Sequence, residues 1–310
     1  PARDPLAALT EDVDAADWQG RADGRPWVEL REHSRAPDAD DVQALAERIA
    51  ATPRGAIVCG DGGAAAGERA GSAGAAIDGD VARSDDPGLS KSSRGLETAV
   101  TRLARESGWP ILAEPTSGMR CGEHDRSHVV AHYDVLLRDE AFAERQRPDL
   151  VLRVGDMPTS KPLRAWLGGT AQVVVDPHAA WNEPTRSAET LLHADPARTC
   201  DALAAAIEAR GPSADTAWAG RWRSADEVVS SAFAGAPDGF EAKAYAGIEA
   251  ALPDDALVWI SSSMPIRYVE SYFPTSRKPL RFMSNRGANG IDGVVASAGG
   301  GARAGGGRAL

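Results

Sequence analysis

The chain has little lysine, asparagine or cysteine, and no long apolar run. Lys91, Lys161, Lys243 and Lys278 are the only lysines among 34 Lys and Arg residues, and 45 acids bring the net charge to −11. So acidic a chain repels phosphates, which argues against nucleic acid as a main partner. Cys59, Cys121 and Cys200 are odd in number and far apart. That argues against a disulfide framework and fits a reducing cytoplasm. No stretch approaches the roughly 18 uninterrupted apolar residues of a membrane span, and the opening residues lack a signal-peptide layout. We therefore expect a soluble, cytoplasmic protein with no membrane partner. At 310 residues and 43% apolar content, the chain is long enough for two domains with ordinary cores.

What is present is most pointed near the C-terminus. The run Ser262-Ser263-Met264-Pro265-Ile266-Arg267 is followed, about twenty positions on, by Asn285-Arg286-Gly287-Ala288-Asn289-Gly290-Ile291-Asp292-Gly293. Each run sets one arginine beside small residues. A guanidinium fork pairs with two carboxylate oxygens at once, and backbone free of bulk lets a ligand come close. Surface ion pairing is the plainer reading of Arg267 and Arg286, but their setting favours a ligand role.

Strands alternate with helices along the rest of the chain. Apolar spacing predicts a helix near 38–49, a buried strand over 55–60 and a helix over 96–104. A strand follows over 110–113, a helix over 133–142, a strand over 150–155, a helix over 161–167 and a strand over 171–176. A last strand over 190–193 leads into a helix over 196–209, with Pro196 in its first turn. This alternation predicts an α/β fold, an open, doubly wound, mostly parallel sheet. A polar, Trp-bearing connector and a second α/β unit come next, with strands over 256–260 and 280–283 and a helix from Pro265 between them. Both arginine runs follow such strands, where α/β sheets bind ligands. Residues 61–95 are Gly-, Ala-, Ser- and Asp-rich and read as an exposed insertion.

Three further features have bland readings that we prefer. Gly60-Asp61-Gly62-Gly63 loosely matches a dinucleotide fingerprint, yet no helix follows at once, so a surface loop is the better reading. His124, His128 and His132, with Cys121, have helical spacing for a zinc site, but the intervening residues look like a loop. Ser160 and Lys161 open a helix; a cap by Ser160 is the structural reading, and an anion site with Lys161 the functional one.

Taken together, SSSMPIR, NRGANGIDG, SKPLRAWL (160–167) and DPHAAWNEP (176–184) resemble the 2-succinyl-5-enolpyruvyl-6-hydroxy-3-cyclohexene-1-carboxylate (SEPHCHC) synthases of menaquinone biosynthesis. These are thiamine-diphosphate-dependent transferases, and the resemblance runs to about Ser297. Ser262 stands where the family usually has Asn. The resemblance implies decarboxylation of 2-oxoglutarate on thiamine diphosphate and addition of the resulting carbanion to isochorismate. It implies that Ser263, Arg267 and Arg286 bind substrate carboxylates. Ile291 would support the bent cofactor, with Asn289 in the same loop.

Carried over from the family, residues 1–30 would be the tail of a pyrimidine-binding domain, 31–212 a middle domain, 213–238 a helical connector and 239–310 the opening of a diphosphate-binding domain. The family's catalytic glutamate and its Mg2+ ligands have no counterpart here, so no catalytic or metal residue is assigned. The two glycine triplets after Ser297 are expected to exclude a stable helix. A truncated, frameshifted or split gene product, inactive alone, is the resulting expectation, within a family that forms homodimers or homotetramers. The competing readings are a non-catalytic middle-domain binding module and a nucleotide-binding oxidoreductase.

Overall fold

The computed structural model describes residues 35–61, 91–211, 216–285 and 292–304. Short runs, buried almost throughout except in the edge strand β6, make the larger of two sheets. Its strands are β1 (Gly55–Cys59), β2 (Ile111–Ala113), β3 (Val129–Val130), β4 (Leu150–Val154), β5 (Ala171–Val175) and β6 (Ala188–Leu192), in the order β3-β2-β1-β4-β5-β6. Every pairing is parallel. Parallel strands need crossover helices, which cover both faces and make central strands apolar on both sides. The strands β1 and β4 are buried throughout.

Alternate side chains of those strands feed two cores. Ile57, Cys59, Leu150, Leu152 and Val154 face one side, under α1 (Ala39–Ala50), α2 (Lys91–Ser107) and α6 (Pro196–Glu208). Ala56, Val58 and Val151 face the other. There lie α3 (Tyr133–Leu136), α4 (Glu140–Arg145), α5 (Lys161–Leu167) and α7 (Thr216–Ala234), with Trp218 and Trp222 wholly buried. The connector is therefore no spacer: its two tryptophans complete the second core.

Side-chain caps fix the helix starts. Asp38 accepts from the amides of Asp40 and Asp41, Ser160 from Leu163 and Asp195 from Arg198; such caps contribute roughly 1 kcal/mol each. The single helix expected over 133–142 is two short ones, because Asp139 caps a new start by accepting from the Phe142 amide. Residues 91–95, read as part of the insertion, belong to α2; residues 62–90 lie outside the described residues.

The smaller unit holds α8 (Glu241–Ala251), β7 (Leu257–Ile260), α9 (Met264–Tyr272), β8 (Arg281–Ser284) and α10 (Val294–Ala304). Its strands pair in parallel, Ile260 beside Ser284. The helix α10 corrects the expectation that the first glycine triplet forbids one. Gly301 sits where a Cβ would lie 2.9 Å from Leu257 and 3.0 Å from Trp259, so its missing side chain lets α10 lie directly on β7. The second triplet lies outside the described residues. Among them, no helix is long and apolar enough to cross a membrane.

Gly60 shows the same logic at the end of β1. A Cβ there would stand 1.7 Å from the carbonyl oxygen of Asp156, backbone that cannot swing aside. Gly60→Ala should lower unfolding free energy by about 1–3 kcal/mol in urea melts, as overpacking does. Gly95→Ala, in α2 with open space around it, should raise it by about 0.5–1 kcal/mol.

Candidate functional site

The two units meet around one buried guanidinium. Arg120 and Cys121 run beside Ser276 of the smaller unit, with Ser276 N donating to Arg120 O (3.0 Å) and Gly122 N to Ser276 O (3.0 Å). From there the wholly buried Arg120 side chain reaches the end of α9. Its Nε donates to Ala113 O (2.6 Å), its Nη1 to Val269 O (3.2 Å) and Phe273 O (3.1 Å), and its Nη2 to Glu270 O (2.9 Å). Carbonyls at a helix C-terminus, of which Val269 O also accepts from Phe273 N, thus receive a cationic donor from the other unit.

Beside it, the Tyr133 hydroxyl donates to Glu270 Oε1. Arg120 Nη2 also lies 3.4 Å from that oxygen. Burial is the main cause that lifts the Glu270 carboxyl to about 8, although the Arg120 charge pulls the other way. Burial likewise raises the Tyr133 phenol well above its ordinary value. Asp134 ties the same seam: it accepts from Ser160 Oγ and Ser271 Oγ, both at 2.6 Å, and from Arg138 Nη2 at 2.8 Å.

This seam floors a pocket of about 300 Å3 lined by Asp134, Arg138, Thr159, Ser160, Lys161, Pro162, Arg267 and Glu270. Arg267 stands on α9, three residues before Glu270, and Lys161 at the start of α5. Among the described residues neither cation meets a carboxylate; Arg267 contacts only the Met264 sulfur, at 3.7 Å. The Ser160 cap holds, and the functional reading of Lys161 gains support from the same wall.

The arginine runs are joined at their roots. Ser262 Oγ donates to the carbonyl of Asn285 (2.8 Å), while the Asn285 side chain accepts from Trp259 Nε1 (2.9 Å) and donates to Ser297 Oγ (3.3 Å). Ser263 is exposed and takes φ +70°, a costly backbone for a non-glycine residue. Arg286, Asn289 and Ile291 lie outside the described residues.

The crevice beyond β1, β2 and β4, where such sheets hold dinucleotides, is of the wrong sign for a diphosphate. Asp61, Glu114, Asp156 and Glu183 line it, with Arg164 its only cationic lining residue among the described residues. Gly60 is there for close packing. The zinc reading of the histidines does not stand: His124 bonds Met119 O, His128 bonds Trp109 O and His132 bonds Asp226, from bend, turn and loop positions rather than one helix. Among the described residues no group of His, Cys, Asp or Glu could hold a metal ion. They offer no cradle for a diphosphate and Mg2+, and no reaction step is assigned through that cofactor.

Fold and pocket define an α/β protein with a cationic pocket at the junction of two parallel sheets. No family model matches the chain. It is, however, 36% identical over 304 residues to the 2-succinyl-5-enolpyruvyl-6-hydroxy-3-cyclohexene-1-carboxylate synthase of Geobacillus thermodenitrificans, covering 96% of this chain and 46% of that one. The Bacillus velezensis synthase is 33% identical with the same coverage, and the Listeria monocytogenes synthase 38% identical over 66% of this chain and 36% of its own. The chain is related to the SEPHCHC synthases along nearly its whole length, and it spans about half the length of the curated relatives it matches. Nothing in these comparisons favours the binding module or the oxidoreductase.

All three cysteines are buried and free. Burial lifts the thiols of Cys59 and Cys121 to about 12 and that of Cys200 well above its usual value. A thiol with a raised pKa carries almost no thiolate near neutrality. Iodoacetamide at about pH 8 should therefore label none of them until denaturant is added; labelling of Cys121 in the native chain would contradict the packed seam.

Proposed function

We propose that the chain supplies the substrate-carboxylate wall of a SEPHCHC synthase of menaquinone biosynthesis. That is a thiamine-diphosphate- and Mg2+-dependent enzyme taking 2-oxoglutarate and isochorismate, and working as a homo-oligomer in the cytoplasm. One observation carries the reading: Arg267 and Lys161 share a pocket and meet no protein carboxylate there among the described residues. A cation without a protein counter-ion, beside a neutral or fully satisfied acid, attracts an anionic ligand. The 2-oxoglutarate dianion fits a pocket of this size and sign.

The roles follow from chemistry. The Arg267 fork takes one carboxylate bidentately, and the Lys161 ammonium acts as a point charge on the same or a second one. Asp134 does not compete, since Ser160, Ser271 and Arg138 satisfy it. Ser263, exposed on strained backbone at the start of α9, would offer its hydroxyl to a carboxylate, and Arg286, next in sequence to the pinned Asn285, would add a second fork. Asn289 and Ile291 belong to the cofactor side, where bound thiamine diphosphate would supply the carbanion-stabilising chemistry.

Calorimetric titration with 2-oxoglutarate tests this. Arg267→Ala and Lys161→Ala should each weaken binding about tenfold or more, the loss of one charge-assisted contact of about 1.5 kcal/mol. Arg164→Ala, in the acidic crevice, should leave it unchanged. Equal loss in all three variants would reject the assignment.

A further inference from the structure

Glu270 lies on the helix that carries Arg267, three residues on, and so on the same stretch of helix face. It is 1% exposed. Arg120 approaches it from the segment after β2 and Tyr133 from α3, while Glu114 and Asp134 act on it through space. Its Oε1 takes the Tyr133 hydrogen bond, and its buried Oε2 has no hydrogen-bond partner among the described residues. Arg120 aims its short contacts at the carbonyls of Ala113, Glu270 and Phe273, and leaves 3.4 Å to the carboxyl. A charge-assisted pair is normally shorter, at about 2.7–2.9 Å. An ionised Glu270 would keep one buried oxygen unsolvated, beside two further acids and one cation already committed to backbone. Carboxyls in such surroundings keep their proton.

We propose that Glu270 is a positioning residue that acts in its neutral, protonated form, held by Tyr133 and Arg120 so that α9 keeps Arg267 on the same pocket wall as Lys161. The proposal rests on the carboxylate-binding reading of that pocket. Neutrality has two consequences. The clasp holds without a buried negative charge, and the pocket keeps its cationic excess from Arg138, Lys161 and Arg267 over Asp134. Ionisation would oppose both: it strains the seam and places an anion in the wall that receives a carboxylate.

The sign of the pH effect follows. The carboxyl moves from 4.5 in an ordinary setting to about 8 in the fold. A folded state that holds its proton more tightly is stabilised fully below the lower value, and loses that contribution as pH rises toward the upper one. Glu270→Gln keeps the shape and neutrality and removes the titration.

Melting temperatures of the full chain and of E270Q, compared between about pH 5 and pH 9, read the clasp directly. The variant should gain on the wild type steadily as pH rises, then run parallel above about pH 8. The wild type should also bind 2-oxoglutarate about threefold or more weakly at about pH 9 than at about pH 6.5, with a flatter profile in E270Q. Glu270→Ala should speed hydrogen exchange in residues 264–272 at every pH. An E270Q that melts progressively below the wild type as pH rises would show an ion pair instead, and overturn the proposal. A constant difference, or unchanged exchange in E270A, would overturn it as well. Failure of the wild type to bind 2-oxoglutarate at any pH would reject the pocket reading and the ligand half of this proposal, while the melting comparison would still decide the clasp.

Discussion

The Arg120 guanidinium is the constraint on which the rest of the arrangement hangs. A fully buried cation is costly unless its donors are satisfied. Here Arg120 faces carbonyls contributed by both units, from the end of β2 and from the end of α9. Neither unit alone could offer that set of acceptors. Burial of this one side chain therefore fixes the smaller unit against the larger, and with it the pocket between Arg267 and Lys161. Aromatic contacts extend the seam: Phe233 of α7 meets the rings of His132 at 5.4 Å and Tyr272 at 5.4 Å.

The polarity of the two concavities follows from the same economy of charge. In the larger sheet Arg153 is wholly buried on β4, yet it turns to the loop over the crevice, donating to Asn182 O at 2.7 Å and lying 3.4 Å from Glu183. Asn182 in turn donates to Asp156 at 2.7 Å. The crevice is thereby knitted by its own side chains and keeps an acidic rim. At the junction the order is reversed: Asp134 is satisfied by Ser160, Ser271 and Arg138, and among the described residues Arg267 and Lys161 meet no carboxylate. A chain of net charge −11 thus sets two cations in one pocket that meet no carboxylate among the described residues.

Much of this was legible in the sequence, for identifiable reasons. Gly55–Cys59 is apolar on both faces and Leu150–Val154 is so but for Arg153; such runs suit helix-covered parallel strands, and their alternation with helical segments made the doubly wound sheet readable. Ser160 and Pro196 marked helix starts through chemistry local to a few residues. The two-residue strand β3 left no such mark, being too short for a period. The break between α3 and α4 turned on one Asp139 cap inside an otherwise continuous apolar pattern. The helix through Gly299–Gly301 goes against propensity, and at Gly301 close contact with Leu257 and Trp259 rewards a missing side chain. The site was only half legible. Arg267 stood out by its setting, whereas Arg120, Tyr133 and Glu270 are scattered over some 150 positions and carry no motif; an arginine and a glutamate in apolar surroundings were the only signal available.

The central claim is that the junction pocket, rather than the acidic crevice, receives a dicarboxylic acid. A crystal structure of the chain soaked with 2-oxoglutarate tests it most directly. The account predicts a carboxylate in hydrogen-bond contact with both Arg267 and Lys161 while the Arg120 seam stays closed. Ligand density among Asp156, Asn182 and Glu183, or an Arg267 tethered to a protein acid with the pocket empty, would contradict it.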